Sequence, residues 1–291
     1  MKEKRVRPEY LEKRNQVIEY INNNLDKKIS ISELAKISNL SKFHFHRIIK
    51  SLLGEPIGNY ITRTRIETAA LLIRYSNLDI QDISHQIGYE KASSLNKIFK
   101  QYYGITPSEY RKNKTLKINY SIPKESNFKL NEPKIIEISN MEVVYIHTKG
   151  EYNKNNINKV WTELSDFVKE NKLFYKEIES YGISYDDPSV TEKDKCRYEA
   201  CYTTKQSITP KGNVGIKKIK GGKFAVFSYK GDYENWGAIY DFIFDKWLIN
   251  SSFELRNQPV MEKYLTAINQ NDKTLLNIEI YLPIKNTVNE T

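Results

Sequence analysis

The N-terminal part of the chain carries one hydrophobic pattern twice, about 50 residues apart. Each copy places four apolar residues at positions i, i+3, i+4 and i+7. They are Phe45, Ile48, Ile49 and Leu52 in the first copy and Leu95, Ile98, Phe99 and Tyr102 in the second. This spacing gathers the four side chains into one stripe along a helix. The pattern therefore predicts two short helices, each with a buried stripe.

A short amphipathic segment and a tight turn precede each of these helices. The segments cover residues 31–37 and 80–87, and the turns fall at Ser38-Asn39 and at Gly88. Asn and Gly tolerate the left-handed backbone that such a turn requires. A helix, a short turn and a second helix with a polar outer face form a helix-turn-helix, a motif that reads DNA. A helix predicted over 57–75, roughly 27 Å long at ~1.5 Å per residue, joins the two units.

The polar faces of the two predicted reading helices carry side chains suited to DNA. They are Phe43, His46, Arg47 and Lys50 in the first helix and Ser93, Asn96, Lys97 and Lys100 in the second. Arg47 suits a guanine, Asn96 suits an adenine, and Phe43 suits a thymine methyl group. Lys50 and Lys100 suit phosphates, which position a protein without specifying sequence. A solvated helix face is the alternative interpretation for these positions.

Polar caps mark the ends of the predicted helices. Ser41 begins the first reading helix, where its hydroxyl and the free backbone amides suit a phosphate. Gly54 ends that helix. Thr106 caps the last helix of this region, and Glu109 lies in its first turn. A further helix over 9–24 is predicted to pack across the first helix-turn-helix.

The excess positive charge is concentrated in the same region. The full chain of 291 residues has a net charge of +10. Residues 1–117 contain 22 Lys and Arg against 12 Asp and Glu, whereas residues 118–291 contain 24 of each kind. A basic segment beside a neutral one favours a polyanion-binding domain joined to a domain with another function. The alternative is that the lysines only aid solubility.

Several motifs keep their spacing through both helix-turn-helix units. They cover residues 41–47, Gly88-Tyr89, 95–100 and 104–111. On these residues the region 8–112 resembles the DNA-binding domain of the AraC/XylS family of bacterial transcription regulators. The resemblance implies seven helices, with base contacts from Phe43, His46, Arg47, Ala92, Ser93, Asn96 and Lys97. Because the side chains at 92 and 93 are short, we expect the second half-site to be read weakly or mainly through its backbone.

From residue 133 the pattern changes from helices to strands that alternate with two helices. Residues 113–132 lack periodicity and predict a linker. Strand-like stretches at 141–147 and 222–229 each lead into a turn and a helix, and further strands follow. The chain is therefore predicted to be multidomain. An all-α domain over 1–112 would precede an α+β domain over 133–286 made of two strand-helix-strand-strand repeats.

The remaining elements of the two repeats follow from the same patterns. Helices are predicted over 158–171 and 233–248. The later strands are predicted over 197–203, 260–266 and 275–283.

A second set of motifs is clearest in the second repeat. It comprises residues 221–227, 230–233, 247–248, 253–256, 261–265 and 279–284. On these residues the C-terminal half resembles the GyrI-like effector-binding domain, which is also attached to multidrug-responsive regulators. The resemblance implies a pseudo-twofold α+β fold with an aromatic-lined groove between the repeats. It also implies a glutamate in that groove at the position of Glu262.

Glu262 is the residue of this half that most favours a binding role. A carboxylate among aromatic faces attracts a lipophilic cation by charge and by cation–π contact. The alternative is a pairing of Glu262 with Arg256, Lys263 or a backbone group. The aromatic candidates for the same ligand site, each of which could instead belong to the core, are Tyr145, Trp161, Tyr185, Tyr229, Trp236 and Tyr281.

The two cysteines and the lengths of the apolar runs bear on the cellular compartment and on possible disulfide or metal chemistry. Strand alternation places Cys196 and Cys201 on opposite faces, so we expect no local disulfide, and zinc lacks a matching Cys/His cluster. Met1 is followed by polar sequence, and no apolar run approaches transmembrane length. We therefore expect a cytoplasmic protein with no membrane partner and no cofactor.

Together the two halves predict a sequence-specific transcription regulator, with activation favoured over repression. The expected partners are double-stranded DNA and a small hydrophobic or cationic effector, with RNA polymerase contact as a further route of control. The protein would act as a monomer or a dimer. In one alternative, Glu262 acts with Tyr145 or Tyr229 as the acid–base set of a small-molecule hydrolase. In another, the C-terminal half sequesters a ligand or protein without controlling DNA affinity.

Overall fold

The chain folds into two units. The computed structural model describes residues 7–113, 128, 130–175, 177–188, 191–206, 208–232, 235–248, 250–256, 258–266 and 276–286. The helical unit comprises Met1–Arg74, Leu78–Leu116 and Ile208–Lys217, and the sheet unit comprises Tyr75–Asn77, Lys117–Ser207 and Lys218–Thr291. Within the described ranges, no helix is long and apolar enough to cross a membrane.

The N-terminal region contains seven α-helices within residues 7–113. They are α1 (Pro8–Asn23), α2 (Ile31–Ile37), α3 (Lys42–Leu53), α4 (Ile57–Tyr75), α5 (Ile80–Gln86), α6 (Ala92–Tyr103) and α7 (Pro107–Lys112). The pairs α2–α3 and α5–α6 are the two predicted helix-turn-helix units, and α4 joins them. Residues 208–217 also belong to the helical unit, where the buried side chain of Asn15 donates to the carbonyl of Asn213 at 3.0 Å.

The buried stripes of the two reading helices follow the predicted spacing, with one exception. Phe45 and Ile49 of α3 are fully buried in a core shared with α1, and Leu95 and Phe99 of α6 are fully buried as well. The prediction for Tyr102 is wrong, because its side chain is 43% exposed. The partly buried Tyr103 continues the i, i+4 row instead, and its ring centre lies 4.8 Å from that of Phe99.

The turns and caps of the helical unit match the sequence prediction. Asn39 has a positive φ of 49° and Gly88 a φ of 80°, as the two turns require. Ser41 Oγ accepts from the backbone N–H of His44 at 3.3 Å and caps α3, which ends at the left-handed Gly54. Thr106 and Glu109 form a reciprocal capping box at the start of α7.

The described residues contain nine strands. They are β1 (Lys134–Ile138), β2 (Met141–Lys149), β3 (Ser180–Ser184), β4 (Arg197–Thr203), β5 (Val214–Ile219), β6 (Gly222–Gly231), β7 (Phe253–Leu255), β8 (Val260–Tyr264) and β9 (Leu276–Asn286). Their order in the sheet is β1-β6-β9-β8-β3-β4-β2-β5, and β7 pairs with the end of β9. β3 lies antiparallel to β8 at the centre of the order, with Gly182 opposite Glu262.

Two helices follow β2 and β6, as predicted. The first is α8 (Lys154–Glu170). The second begins as α9 (Trp236–Asp241) and continues as a π-helix over Phe242–Leu248, so an α-helix throughout 233–248 is wrong. Residues 233–234 and almost all of the predicted linker 113–132 lie outside the described residues.

Strand alternation gives the sheet two different faces. On one face, Ile239 and Ile243 of the second helix pack against β6, β8 and β9 in a large apolar core. Tyr145, Tyr181, Met261 and Tyr281 belong to a separate core on the other face.

Candidate DNA-reading helices and effector site

The predicted DNA-contacting side chains lie at the surface of the two reading helices. On α3, Ser41, His46, Arg47 and Lys50 are exposed, and on α6, Ser93, Asn96, Lys97 and Lys100 are exposed. Ala92 is half-buried, and the side chain of Phe43 lies outside the described residues. Each exposed set is opposite a fully buried pair, Phe45 and Ile49 on α3 and Leu95 and Phe99 on α6. This is the arrangement that inserts one helix face into a groove.

Gln81 of α5 organises the start of the second reading helix, a role that the sequence analysis missed. Its Oε1 accepts from the backbone N–H of Ala92 at 3.0 Å. Its Nε2 lies 2.6 Å from Nε2 of His85 and donates to the carbonyl of Glu90 at 3.3 Å. Lys91 occupies the N-cap position without a side-chain cap bond. A capping residue eleven positions earlier in the chain gives no local signal, so only the tertiary structure shows it.

Glu262 is fully buried within the sheet unit. Ser184 Oγ donates to its Oε1 at 2.9 Å, and the hydroxyl of Tyr240 donates to the same oxygen. Within the part of the chain that the structure describes, Oε2 has no hydrogen-bond partner. The carboxylate therefore keeps one oxygen available inside the protein.

The structure excludes the side-chain pairings proposed as alternatives for Glu262. Arg256 donates instead to the carbonyls of Gly221 at 2.8 Å and Lys223 at 3.0 Å. Lys263 is adjacent on the strand, points to the other face and binds Glu179. No basic side chain within the described residues hydrogen-bonds to the carboxylate of Glu262.

Aromatic side chains cluster near the available oxygen. A Cβ at Gly182 would lie 2.8 Å from Glu262 Oε2 and 2.5 Å from the hydroxyl of Tyr198. Only a residue without a side chain leaves this space. Trp161 Nε1 donates to the hydroxyl of Tyr198 at 3.0 Å, and that hydroxyl lies 3.2 Å from the hydroxyl of Tyr264.

The aromatic residues predicted for one ligand site are divided between different places. Trp161 and Trp236 lie on the face of Glu262, where the ring of Trp236 packs 5.7 Å from that of Tyr240. Tyr145, Tyr185 and Tyr281 lie in the core on the opposite face. Register explains the division, because Tyr281 is opposite Met261, the neighbour of Glu262.

Tyr229 and the proposed acid–base set also need correction. Tyr229 is buried in the apolar core between the second helix and β6, β8 and β9, and its hydroxyl donates to the carbonyl of Asp232 at 2.9 Å. Tyr145 faces away from Glu262, so the structure does not assemble these two residues into an acid–base pair. Tyr198, Tyr240, Tyr264, Ser184 and Gly182 are the neighbours that the sequence analysis missed.

Burial controls the protonation of this cluster. Desolvation raises the pKa of Glu262 to about 7, although the hydrogen bonds from Tyr240 and Ser184 act in the opposite direction. Desolvation raises the pKa of Tyr198 and of Tyr240 well above the usual value, so both remain neutral hydroxyls. The carboxyl group therefore changes charge near neutral pH.

A second buried carboxylate lies on the opposite face of the sheet. Glu199 is fully buried and accepts from the hydroxyl of Tyr185 at 2.8 Å, and His147 Nδ1 lies 3.4 Å from its Oε1. The two cysteines, Cys196 and Cys201, are buried free thiols. Among the described residues, no group of three or more His, Cys, Asp and Glu is arranged to hold a metal.

These features define a class of protein that joins a helix-turn-helix DNA-binding region to an α+β domain with a buried polar site. A family model described as a helix-turn-helix domain matches residues 34–113, and a model of the GyrI-like small molecule binding domain matches residues 131–285. The chain therefore belongs to the AraC/XylS family of transcription regulators and carries a GyrI-like small molecule binding domain.

Relatives of known name agree with this assignment in the helical half. The HTH-type transcriptional activator AarP of Providencia stuartii is 35% identical over 33% of this chain and 72% of its own length. The lactose operon transcription activator of Staphylococcus xylosus is 33% identical over 32% of this chain and only 34% of its own length. A cryo-EM structure of an EcmrR–DNA complex is 16% identical over 84% of both chains, with a TM-score of 0.48.

Proposed function

We propose that this protein is a transcription activator that binds double-stranded DNA through both α3 and α6 and is modulated by a lipophilic cation held at Glu262. The observation that carries the effector site is the buried carboxylate of Glu262, whose Oε2 has no hydrogen-bond partner among the described residues. The hydroxyls of Tyr240 and Tyr198 lie beside this carboxylate, and Trp236 and Trp161 contact those two tyrosines. This combination of charge, burial and aromatic surface is what a lipophilic cation requires.

Energetics favour a cationic ligand over a neutral one at this position. Burial without a counter-charge destabilises a carboxylate relative to its protonated form, which is why the pKa of Glu262 is raised. A cation without hydrogen-bond donors would supply the counter-charge and would bury its own apolar surface against Trp161, Tyr198 and Tyr240. Cation binding therefore requires the deprotonated carboxylate, and the apparent affinity should increase as the pH rises through about 7.

The DNA-binding part of the proposal is supported by the two exposed reading faces and by the family assignment. Arg47 and Asn96 lie on the exposed faces of α3 and α6. Their side chains have the donor and acceptor patterns that bind guanine and adenine in the major groove. A monomer with two such helices would bind an asymmetric site without a partner subunit.

We also infer that the sheet unit arose by duplication of a strand-helix-strand-strand repeat. In the sheet, β2-β4-β3 and β6-β9-β8 each show the first, third and second strand of a repeat in that order. Each first strand also leads into a helix, α8 after β2 and α9 after β6.

The effector site is tested by titrating the full chain with tetraphenylphosphonium at pH 8 and following tryptophan fluorescence. Trp161 and Trp236 lie beside the proposed site, so binding should quench their emission. We expect Glu262→Gln to weaken binding at least ~10-fold, because it removes the charge and keeps the shape. The neutral triphenylphosphine oxide should bind wild type and variant equally.

Glu199→Gln is the matched control for this titration. Glu199 is also fully buried and also accepts from a tyrosine hydroxyl, but it lies on the opposite face of the sheet. It should therefore leave tetraphenylphosphonium binding unchanged. Equal affinity of wild type and Glu262→Gln for the cation would contradict the assignment of the site.

A further inference from the structure

Arg65, in the middle of α4, contacts both helix-turn-helix units. Its Nε donates to the carbonyl of Leu25 at 3.1 Å, and its Nη2 donates to the carbonyl of Lys27 at 2.6 Å. Both carbonyls lie in the connection from α1 to α2, and Leu25 belongs to the same apolar core as α2 and α3 of the first unit. The guanidinium also lies 5.5 Å from the ring centre of Tyr89, in the turn of the second unit.

Gly88 brings the turn of the second unit directly against this arginine. The residue has a φ of 80°, and a Cβ there would lie 2.4 Å from Arg65 Nη2 and 2.4 Å from the carbonyl oxygen of Leu25. The contact therefore includes backbone atoms of the first unit as well as the guanidinium. Any side chain at position 88 would therefore push the two helix-turn-helix units apart.

The chemistry of this contact requires arginine. A guanidinium can donate to two carbonyls in its plane while an aromatic ring packs against its face. A lysine has one nitrogen and cannot reproduce that fork. Burial lowers the pKa of Arg65, and the charges of Tyr89 and Asp26 oppose that effect, so the two carbonyl bonds stabilise a half-buried cation.

We propose that Arg65 is a positioning residue that fixes the spacing and the rotational phase between the two reading helices on DNA. This inference rests on the proposed function, in which α3 and α6 bind the same duplex. α4 fixes how far apart the units are, but a helix alone does not fix how each unit turns about its end. The bonds of Arg65 to the first unit and its packing against Tyr89 supply that restraint.

The consequence is selectivity for the distance between two subsites. One inserted base pair moves the second subsite by ~3.4 Å and rotates it by roughly 34° about the duplex axis. A rigid pair of reading helices cannot follow that change. Two reading helices without the Arg65 contact can adjust to the altered spacing. They bind the correct spacing less tightly, because their relative orientation must first be fixed.

The test begins with duplexes selected by the full wild-type chain from a random 30-base-pair library at near-physiological salt. The selected duplex and versions with one base pair inserted or deleted between its subsites are then titrated. We expect wild type to lose at least ~10-fold in affinity for either altered spacing. Arg65→Ala and Arg65→Lys should bind the selected spacing ~10-fold more weakly and should discriminate less than ~3-fold between spacings.

Arg111→Ala is the matched control. Arg111 also donates to two carbonyls, those of Ile73 at 3.2 Å and Leu78 at 2.6 Å, and burial also lowers its pKa. These carbonyls flank the second unit only. The variant should therefore lower thermal stability about as much as Arg65→Ala and keep the wild-type discrimination between spacings.

Tyr89→Leu keeps the hydrogen bonds of Arg65 and removes only the cation–π contact. This variant should lose part of the discrimination between subsite spacings. It replaces Arg65→Ala in the test if Arg65→Ala does not fold. Wild-type discrimination in folded Arg65→Lys and Tyr89→Leu would overturn the inference. If wild type selects no duplex with two spaced subsites, the proposed two-helix binding fails instead, and with it the basis of the inference.

Discussion

Glu262 holds its position in the sheet unit through residues of several different elements. It lies on β8 and is fully buried. Its hydrogen-bond partners Ser184 and Tyr240 come from β3 and α9, far away in the sequence. The register that places them there is a tertiary property, because alternation gives two faces without saying which strands are neighbours.

The raised pKa of Glu262 makes the stability of the sheet unit depend on pH. The folded state binds the proton more tightly than the unfolded chain does, with pKa values of about 7 and 4.5. This contribution to stability is complete below about pH 4.5, decreases as the pH rises, and is lost above about 7. Glu262→Gln cannot titrate, so it should be more stable than wild type at pH 8 by ~2–3 kcal/mol.

Urea denaturation followed by tryptophan fluorescence measures this difference, since all three tryptophans lie in the sheet unit. The wild-type free energy of unfolding should decline between pH 5 and pH 7 relative to that of the variant. Ser184→Ala keeps the titrating group and removes a hydrogen bond that lowers its pKa, so its curve should still decline, but over a range that extends to higher pH. Parallel curves for wild type and Glu262→Gln would contradict the raised pKa.

At the scale of secondary-structure elements, sequence patterns predict the features that depend on interactions between residues close together in the chain. The caps at Ser41, Gly54 and Thr106 are local interactions, and the structure confirms them. The π-helix over Phe242–Leu248 was missed, because its apolar spacing also fits an α-helix. Gln81 was missed as the cap of α6 for a different reason, since it reaches across a turn from another helix.

The capping box of α7 gives a prediction at this scale. Thr106→Ala should destabilise α7 by ~1 kcal/mol, because the side-chain acceptor of the first turn is lost. Hydrogen exchange of the α6 and α7 amides measures this change, since tryptophan fluorescence reports on the sheet unit only. Thr106→Ser keeps the hydroxyl and should exchange like wild type, whereas equal exchange in all three proteins would contradict the role of the cap.

At the scale of the whole molecule, charge distribution and motif order indicated two halves with different functions. The helical half and the family assignment confirm the DNA-binding half of that prediction. A single domain boundary in the sequence does not separate the two units, because residues 208–217 belong to the helical unit. No sequence pattern marks that segment, since its contacts with α1 join residues about 200 positions apart.

The basic half makes DNA binding sensitive to salt, and different substitutions should affect it differently. Arg47→Ala should abolish discrete sites on fragmented genomic DNA while retaining general affinity for DNA. Lys100→Ala should weaken binding to all sequences and reduce the slope of log K against log salt by about 1. Binding that is smooth along the DNA and unchanged by Arg47→Ala would mean that only counterion release drives association.

The contact made by Arg65 has a consequence for protein engineering. A regulator with two helix-turn-helix units could be directed to new target genes by replacing one of its units with that of a relative. Such a chimaera would retain two intact reading helices. It would still fail on its designed promoter if the contacting groups came from two different parents. Those groups are the carbonyls of Leu25 and Lys27, the guanidinium of Arg65 and the turn at Gly88-Tyr89. Transplanting these residues as one set should preserve the geometry, whereas transplanting the reading helices alone should not.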